Sequence, residues 1–216
     1  MIAFLRVCAA LVLAGALSAC GAEEVWAPEE AVQRAAYTPG GTPTVTLMTM
    51  VNNRDGSGGH SALIIDGAQR LVFDPAGTWR HPMIPERNDV LYGMGEPFLG
   101  FYLDYHARET YHIVLHEIDV TPEVARSLSA AVQSYGAVPK AQCSLSISRV
   151  LSQTPGFESI GTSWLPVRTM ARFAALPGVR ESRVYDDDAD DNLELLQAQG
   201  RAAQTRAIAA EIAAGN

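Results

Sequence analysis

This sequence predicts an α+β fold in which an antiparallel sheet packs against a helix beginning at Cys143, and three observations carry that reading. Two β-prone runs, Thr44–Val51 and Ser61–Ile65, are separated by the polar stretch Asn52–Gly59. The second run turns through Asp66-Gly67 into Arg70-Leu71-Val72-Phe73, and Asp-Gly between apolar runs is a hairpin signal. Further on, Cys143, Ile147, Val150 and Leu151 fall at i, i+4, i+7 and i+8, the spacing of one helical face.

The first residues read as a targeting segment. Arg6 supplies one positive charge, an apolar run follows from Val7 to Leu17, and small residues precede Cys20; the run is shorter than the ~20 residues a membrane-spanning helix needs. Leu17-Ser18-Ala19-Cys20 resembles the bacterial lipobox, which implies cleavage before Cys20 and acylation of that cysteine. The resemblance makes residues 1–19 a lipoprotein signal peptide and Cys20 the lipidation site. It implies a bacterial cell-envelope protein held on a membrane by a lipid anchor, two acyl chains being enough for stable attachment. Gly21, where an aspartate would retain the protein at the inner membrane, implies the outer membrane, facing the periplasm.

Without residues 1–19 the chain keeps 197 residues, and loss of Arg6 takes its formal charge from −8 to −9. That length is one domain's worth and can bury a core without disulfides. The acidic balance, with no cluster of Lys or Arg, excludes nucleic acid as a partner.

Residues 20–43 are rich in Ala, Glu, Pro and Gly without sustained periodicity and read as a lipidated tether, with order expected from Thr44. The domain proper is expected over residues 44–185. Antiparallel pairing in the hairpin returns Asp74 to the level of His60. A carboxylate there would fix the imidazole's tautomer and keep it basic, as a general base for a thiol requires. The same spacing equally fits a strand-end histidine and a carboxylate capping the Asp74-Pro75-Ala76-Gly77 turn. Residues 76–108 form a long irregular stretch containing Trp79, Tyr92, Phe98, Phe101, Tyr102 and Tyr105, which either line a cleft or simply pack.

A strand is predicted from Thr110 to Ile118. Thr121-Pro122-Glu123 then combines an N-cap, proline at the first helical position and an acidic first turn, opening a helix over 122–134. Val138–Gln142 connects it to the Cys143 helix. Trp164-Leu165-Pro166 through Phe173 reads as a further helix and Val179–Tyr185 as a strand. Residues 186–216 read as a solvated acidic turn followed by an exposed helix from Leu193 to Ala214, without functional signal.

With Cys8 in the signal segment and Cys20 carrying lipid, Cys143 is the remaining thiol. Export compartments favour disulfides, so an unpaired cysteine there is either a small buried hydrophobe or a nucleophile. A place in the first turn of a helix would stabilise the thiolate and set it beside backbone N–H groups able to hold an oxyanion. Metal and cofactor patterns fail. His112 and His116 lie about 13 Å apart if extended, too far to share one ion. A helical metalloprotease pattern from His116-Glu117 would need histidine where Val120 stands. A calcium loop from Asp186 would need glycine and glutamate where Asp191 and Gln197 stand. Gly56-Ser57-Gly58-Gly59 lacks the Gly-Lys ending of a phosphate loop. No metal and no cofactor are therefore expected.

Gly59-His60-Ser61-Ala62-Leu63-Ile64-Ile65-Asp66-Gly67, followed 83 residues after His60 by Cys143-Ser144-Leu145-Ser146-Ile147, resembles the circularly permuted NlpC-type papain-like family, which includes lecithin retinol acyltransferase relatives and bacterial lipoproteins. Histidine strand before cysteine helix is the permuted order. The resemblance covers about residues 44–175 and implies a papain-like domain with Cys143 as nucleophile, His60 as base and Asp74 as the group that orients it. Gln142 and Asp74 depart from the residues most members carry at those places, Asn and His. The implied activity is that of a thiol hydrolase or acyltransferase acting on an amide or thioester, with peptidoglycan stem peptides or lipid-linked acyl groups as substrates. The competing class is a non-catalytic envelope lipoprotein using the same fold as a binding or scaffold module.

Overall fold

The structure is a computed structural model that describes residues 21–214. The signal segment and Cys20 lie outside the described residues. Seven strands form one antiparallel sheet: β1 (Thr44–Asn52), β2 (Gly58–Asp66), β3 (Arg70–Phe73), β4 (Glu86–Arg87), β5 (Val90–Tyr92), β6 (Tyr111–Asp119) and β7 (Arg180–Val184). Their order across the sheet is β4-β5-β3-β2-β1-β6-β7. Six helices are described, α1 (Glu29–Ala35), α2 (Glu96–His106), α3 (Pro122–Gln133), α4 (Cys143–Ser152), α5 (Pro166–Ala174) and α6 (Leu193–Ala214). The chain is thus α+β, with the cysteine at the head of a helix. None of the described helices is long and apolar enough to cross a membrane.

The central strands are buried on both faces, so apolar residues do not alternate strictly with polar ones, and Thr49 and Ser61 are buried among them. Val45, Leu47, Leu63, Ile65, Leu71 and Phe73 meet Leu128 of α3, Ile147 and Leu151 of α4, and Phe173 of α5. Met48, Ala62, Ile64, Val72 and Ile113 meet Tyr102 of α2 and Trp79 on the opposite side. Each large apolar side chain so enclosed contributes roughly 1.5–3 kcal/mol relative to exposure. The expected cap of α3 is present, Thr121 Oγ1 accepting the Val124 N–H at 3.3 Å.

Two expectations need correction. Order begins before Thr44: α1 buries Val32, the Val25 carbonyl accepts the Asn88 N–H at 2.9 Å, and Arg87 lies over the Trp26 ring at 4.8 Å. The segment after Cys20 is docked on the domain rather than a free tether. Residues 76–108 are not irregular throughout but contain β4, β5 and α2. Helix α2 escapes pattern reading because apolar residues surround it and Gly100 interrupts it, leaving no polar face to set a period. The acidic turn is exposed, as expected, with Asp191 accepting the Leu193 N–H at 2.9 Å, and it is also anchored. The Asp188 carbonyl accepts the Glu109 N–H at 2.9 Å, and Arg108 holds Asp186, Asp188 and Asn192.

Candidate active site

His60 stands on β2 opposite Met50 of β1, on the side of the sheet that faces α2. The β2–β3 pairing ends at Leu63↔Phe73, so Asp74 leaves the sheet one step past the last pair. Its side chain reaches back to His60, where Nε2 and Oδ1 lie 2.6 Å apart. Asp74 is only 3 % exposed and the His60 side chain 15 %. The Asp74–Gly77 turn closes on the Gly77 N–H, which donates to the Asp74 carbonyl at 2.9 Å. Gly77 has to be glycine, because a Cβ there would collide with the Asp74 carboxylate.

Cys143 begins α4 and is a free, buried thiol, 8 % exposed. No side chain caps this helix, so its first-turn N–H groups keep their capacity for a negative charge. Burial pushes the Cys143 thiol up, but a hydrogen bond and positive charge from His60, with the N–H groups of Ser61 and Ser144, outweigh it and bring the thiol below its ordinary range. Burial likewise pushes His60 down. The charge and hydrogen bond of Asp74, seconded by Cys143, overcome this and raise the imidazole to about 10. Asp74 follows the same logic: burial pushes it up, while imidazolium and hydrogen bonding hold it below the usual carboxylate range. Nε2 is taken by Asp74, which leaves Nδ1 as the ring nitrogen the carboxylate does not use.

All three residues expected from the sequence are therefore together. Serines fix the helix that carries the thiol: Ser144 Oγ donates to the Ser163 carbonyl at 3.1 Å and pairs with Thr169 of α5 at 2.8 Å, and Ser148 Oγ accepts the Ser163 N–H at 2.9 Å.

The structure adds residues that sequence reading missed. His106, at the end of α2, stacks on His60 with ring centroids 5.7 Å apart and planes 9° from parallel. Its Nδ1–H donates to the Tyr102 carbonyl at 2.7 Å, and burial holds its pKa down to about 4, so a neutral ring offers Nε2 as an acceptor. The buried Tyr102 hydroxyl makes no well-formed hydrogen bond but leans on Asp74 closely enough to lower the carboxyl further. The signal for these was present in Gly95-Glu96-Pro97, a helix start, followed by aromatics at 98, 102 and 105 and histidine at 106.

A cleft of about 450 Å³ opens against this cluster, walled by His60, His106, Gly77, Thr78, Tyr105 and Asp190 among others. Cys143 is not in that wall; His60 is the residue shared by the cleft and the thiol. The acidic turn closes one end of the cleft, Asp190 being fixed by the Thr110 hydroxyl at 2.6 Å.

His60, Asp74 and His106 also offer three donor atoms within 4.8 Å of one another, a set a metal ion could use. Ligands of a tetrahedral zinc with bonds near 2.0–2.1 Å sit about 3.3 Å apart. At 2.6 Å, His60 and Asp74 are instead at the separation of two groups sharing a proton. Asp104, Asp186 and Asp188 form a second acidic group, but the Arg108 guanidinium lies 3.3–3.6 Å from all three and supplies their counter-charge. His112 and His116 have separate partners, Asn53 at 2.7 Å and Glu181 at 3.1 Å.

Comparison with protein-family models, with curated proteins and with solved structures returns no match to this chain. Any functional reading therefore rests on the residues themselves.

Proposed function

We propose that this chain is a thiol acyl-transfer enzyme, a hydrolase or acyltransferase of the circularly permuted NlpC-type papain-like fold, carried on a bacterial membrane by acylated Cys20. One observation supports it above the rest: a buried thiol is held below its ordinary pKa by an imidazole whose opposite nitrogen is bound to a buried carboxylate. A cysteine serving only as a small hydrophobe is expected to be driven up by burial.

In this reading Cys143 gives its proton to His60 Nδ1, and Asp74 holds the resulting imidazolium. The thiolate attacks an acyl carbonyl, and the developing oxyanion draws on N–H groups at the start of α4. Collapse breaks the bond to the leaving group, which departs with the His60 proton, and leaves a thioester on Sγ. Water, or an acceptor amine, then gives His60 its proton as it attacks that thioester and releases the thiolate. The scissile bond is an amide or thioester, with peptidoglycan stem peptides or lipid-linked acyl groups as the substrates.

The test needs no natural substrate. Incubated with an activated thioester such as an acyl-thiophenol, the protein should gain one acyl mass on Cys143, and the adduct should decay with time. Cys143→Ser should gain none, and His60→Ala should acylate roughly 10²–10⁴-fold more slowly. A chain that stays unacylated, with Cys143 alkylating as slowly as a protonated thiol, belongs to the scaffold class instead.

A further inference from the structure

Asp89 is a costly residue for its place. With Asn88 it forms the two-residue turn between β4 and β5, and both have positive φ, 45° and 67°. Hairpin turns of this kind accept asparagine or glycine more readily than aspartate. The Asp89 carboxyl is also buried, 6 % exposed, on the side where Asp74 and Glu86 lie, with Arg80 as the nearby cation. Burial pushes it up to about 6. Asparagine would avoid the charge and suit the backbone.

What asparagine cannot supply is a negative charge at this place. Asp89 Oδ2 takes the Val138 N–H at 2.7 Å, and the Ala76 N–H is near enough to favour the charged carboxylate. Its main-chain carbonyl takes the Asp74 N–H at 2.8 Å. Two of these donors belong to the turn that presents Asp74. The third opens the short stretch Val138–Gln142 that delivers Cys143. That stretch contains a left-handed Ala141 at φ 63° and one long internal bond, Gln142 N–H to the Pro139 carbonyl at 3.3 Å, with buried Val138 at one end and the Gln142 carbonyl held by Ser146 at the other.

We propose that Asp89 is a positioning residue of the thiol site, a brace that ties the Asp74 turn to the approach of α4 and so sets how closely His60 meets Cys143. The inference rests on the thiol-site reading above. It assigns Asp89 no contact with substrate.

The experiment is the pH dependence of Cys143 alkylation by iodoacetamide in the unsubstituted chain, Asp89→Asn and Asp89→Ala, each checked for folding by near-ultraviolet circular dichroism. Asp89→Ala should move the alkylation midpoint up toward the ordinary thiol value of about 8.5 and slow the reaction at pH 7 roughly tenfold. Asp89→Asn, which keeps one acceptor and tolerates the turn, should fall between. Folded variants with the unsubstituted profile would overturn the role of Asp89 while leaving the thiol site intact. An ordinary thiol midpoint in the unsubstituted chain would overturn the site and the brace together. A second measurement needs no substitution: the Val138 amide shift should titrate near pH 6 with Asp89, and a flat Val138 shift across pH 5–7 would break the proposed link even if the alanine variant failed to fold.

Discussion

The hairpin of β2 and β3 carries a buried ion pair at each end, and the two ends differ in what their cations can do. At the turn end, Arg70 grips Asp66 through two bonds of 2.6 and 2.8 Å. It also reaches Glu96 at 2.9 Å and the Met94 carbonyl at 3.2 Å, and lies 5.3 Å over the Tyr37 ring. At the open end, His60 holds a single bond to Asp74 and also hydrogen-bonds to a thiol. Both ends border a cavity, of about 350 and 450 Å³ respectively, so a hollow beside an ion pair does not mark the active end. The difference is chemical. A guanidinium bound on several sides cannot release a proton near neutral pH and serves as a rivet, whereas an imidazole with one nitrogen to spare can pass a proton.

The same isosteric substitution at both ends gives the sharpest contrast. Asp74→Asn should reduce the alkylation rate of Cys143 at pH 7 at least roughly tenfold, because the imidazole loses the charge that keeps it protonated beside the thiol. Its stability cost should be modest, since an unpaired His60 can shed its proton. Asp66→Asn should do the reverse. It leaves a guanidinium that cannot neutralise itself with only the exposed Glu96 as a carboxylate partner, costing up to about 3 kcal/mol in denaturant unfolding while leaving the alkylation profile in place. If Asp74→Asn left the profile unchanged, His60–Asp74 would be a second rivet and the distinction between the ends would vanish.

This contrast also shows what sequence could reach. Hairpin, histidine, carboxylate and cysteine-headed helix were legible because each leaves a local signature: a turn dipeptide, strand-end residues, a helical period. The register brings Asp74 toward His60, while the roles of His60, Asp74 and Cys143 come from the family resemblance. Gly95-Glu96-Pro97 signals a helix start, but the roles of His106, Tyr102 and Asp89 were not legible, because they arise from elements folding back across the sheet. Helix α2 lacks a polar face, and Asn88-Asp89 reads as one more polar pair inside a long apparent loop. The acidic turn reads correctly as exposed, but its anchor does not show in the sequence, because Arg108 lies about 80 residues earlier in the chain.

The two ends should also separate along the pH axis. His60 is raised from its ordinary 6.5 to about 10, so its stabilising contribution is complete below pH 6.5 and is lost as pH rises through about 10. Asp74 is lowered, so its share is present above its ordinary range and is lost as pH falls through its depressed value. Arg70 adds no alkaline loss over this span. The stability gap between the unsubstituted chain and His60→Gln, on the order of a few kcal/mol near pH 6, should therefore close between pH 7 and 10.5. The gap to Arg70→Met should stay flat. A His60→Gln gap that persists at pH 10.5 would mean the ring is held by packing against His106 rather than by charge.

A third ion cluster, at the edge of the sheet, calibrates the other two. Arg180 of β7 contacts Glu117 at 2.7 Å and Asp119 at 2.6 Å, distances as short as those inside the hairpin. Its side chain is 52 % exposed, however, and both carboxylates face water as well. Water and salt screen such a pair, and ordering two long side chains offsets much of the attraction, so short distance alone predicts little stability. Arg180→Gln should barely move the denaturant midpoint, and raising the salt from 0.05 to 0.5 M should shrink even that difference. Neither change should alter Cys143 alkylation. A cost equal to that of Asp66→Asn would show that contact length rather than desolvation decides what an ion pair contributes here, and the contrast between the buried ends would then need a different physical basis.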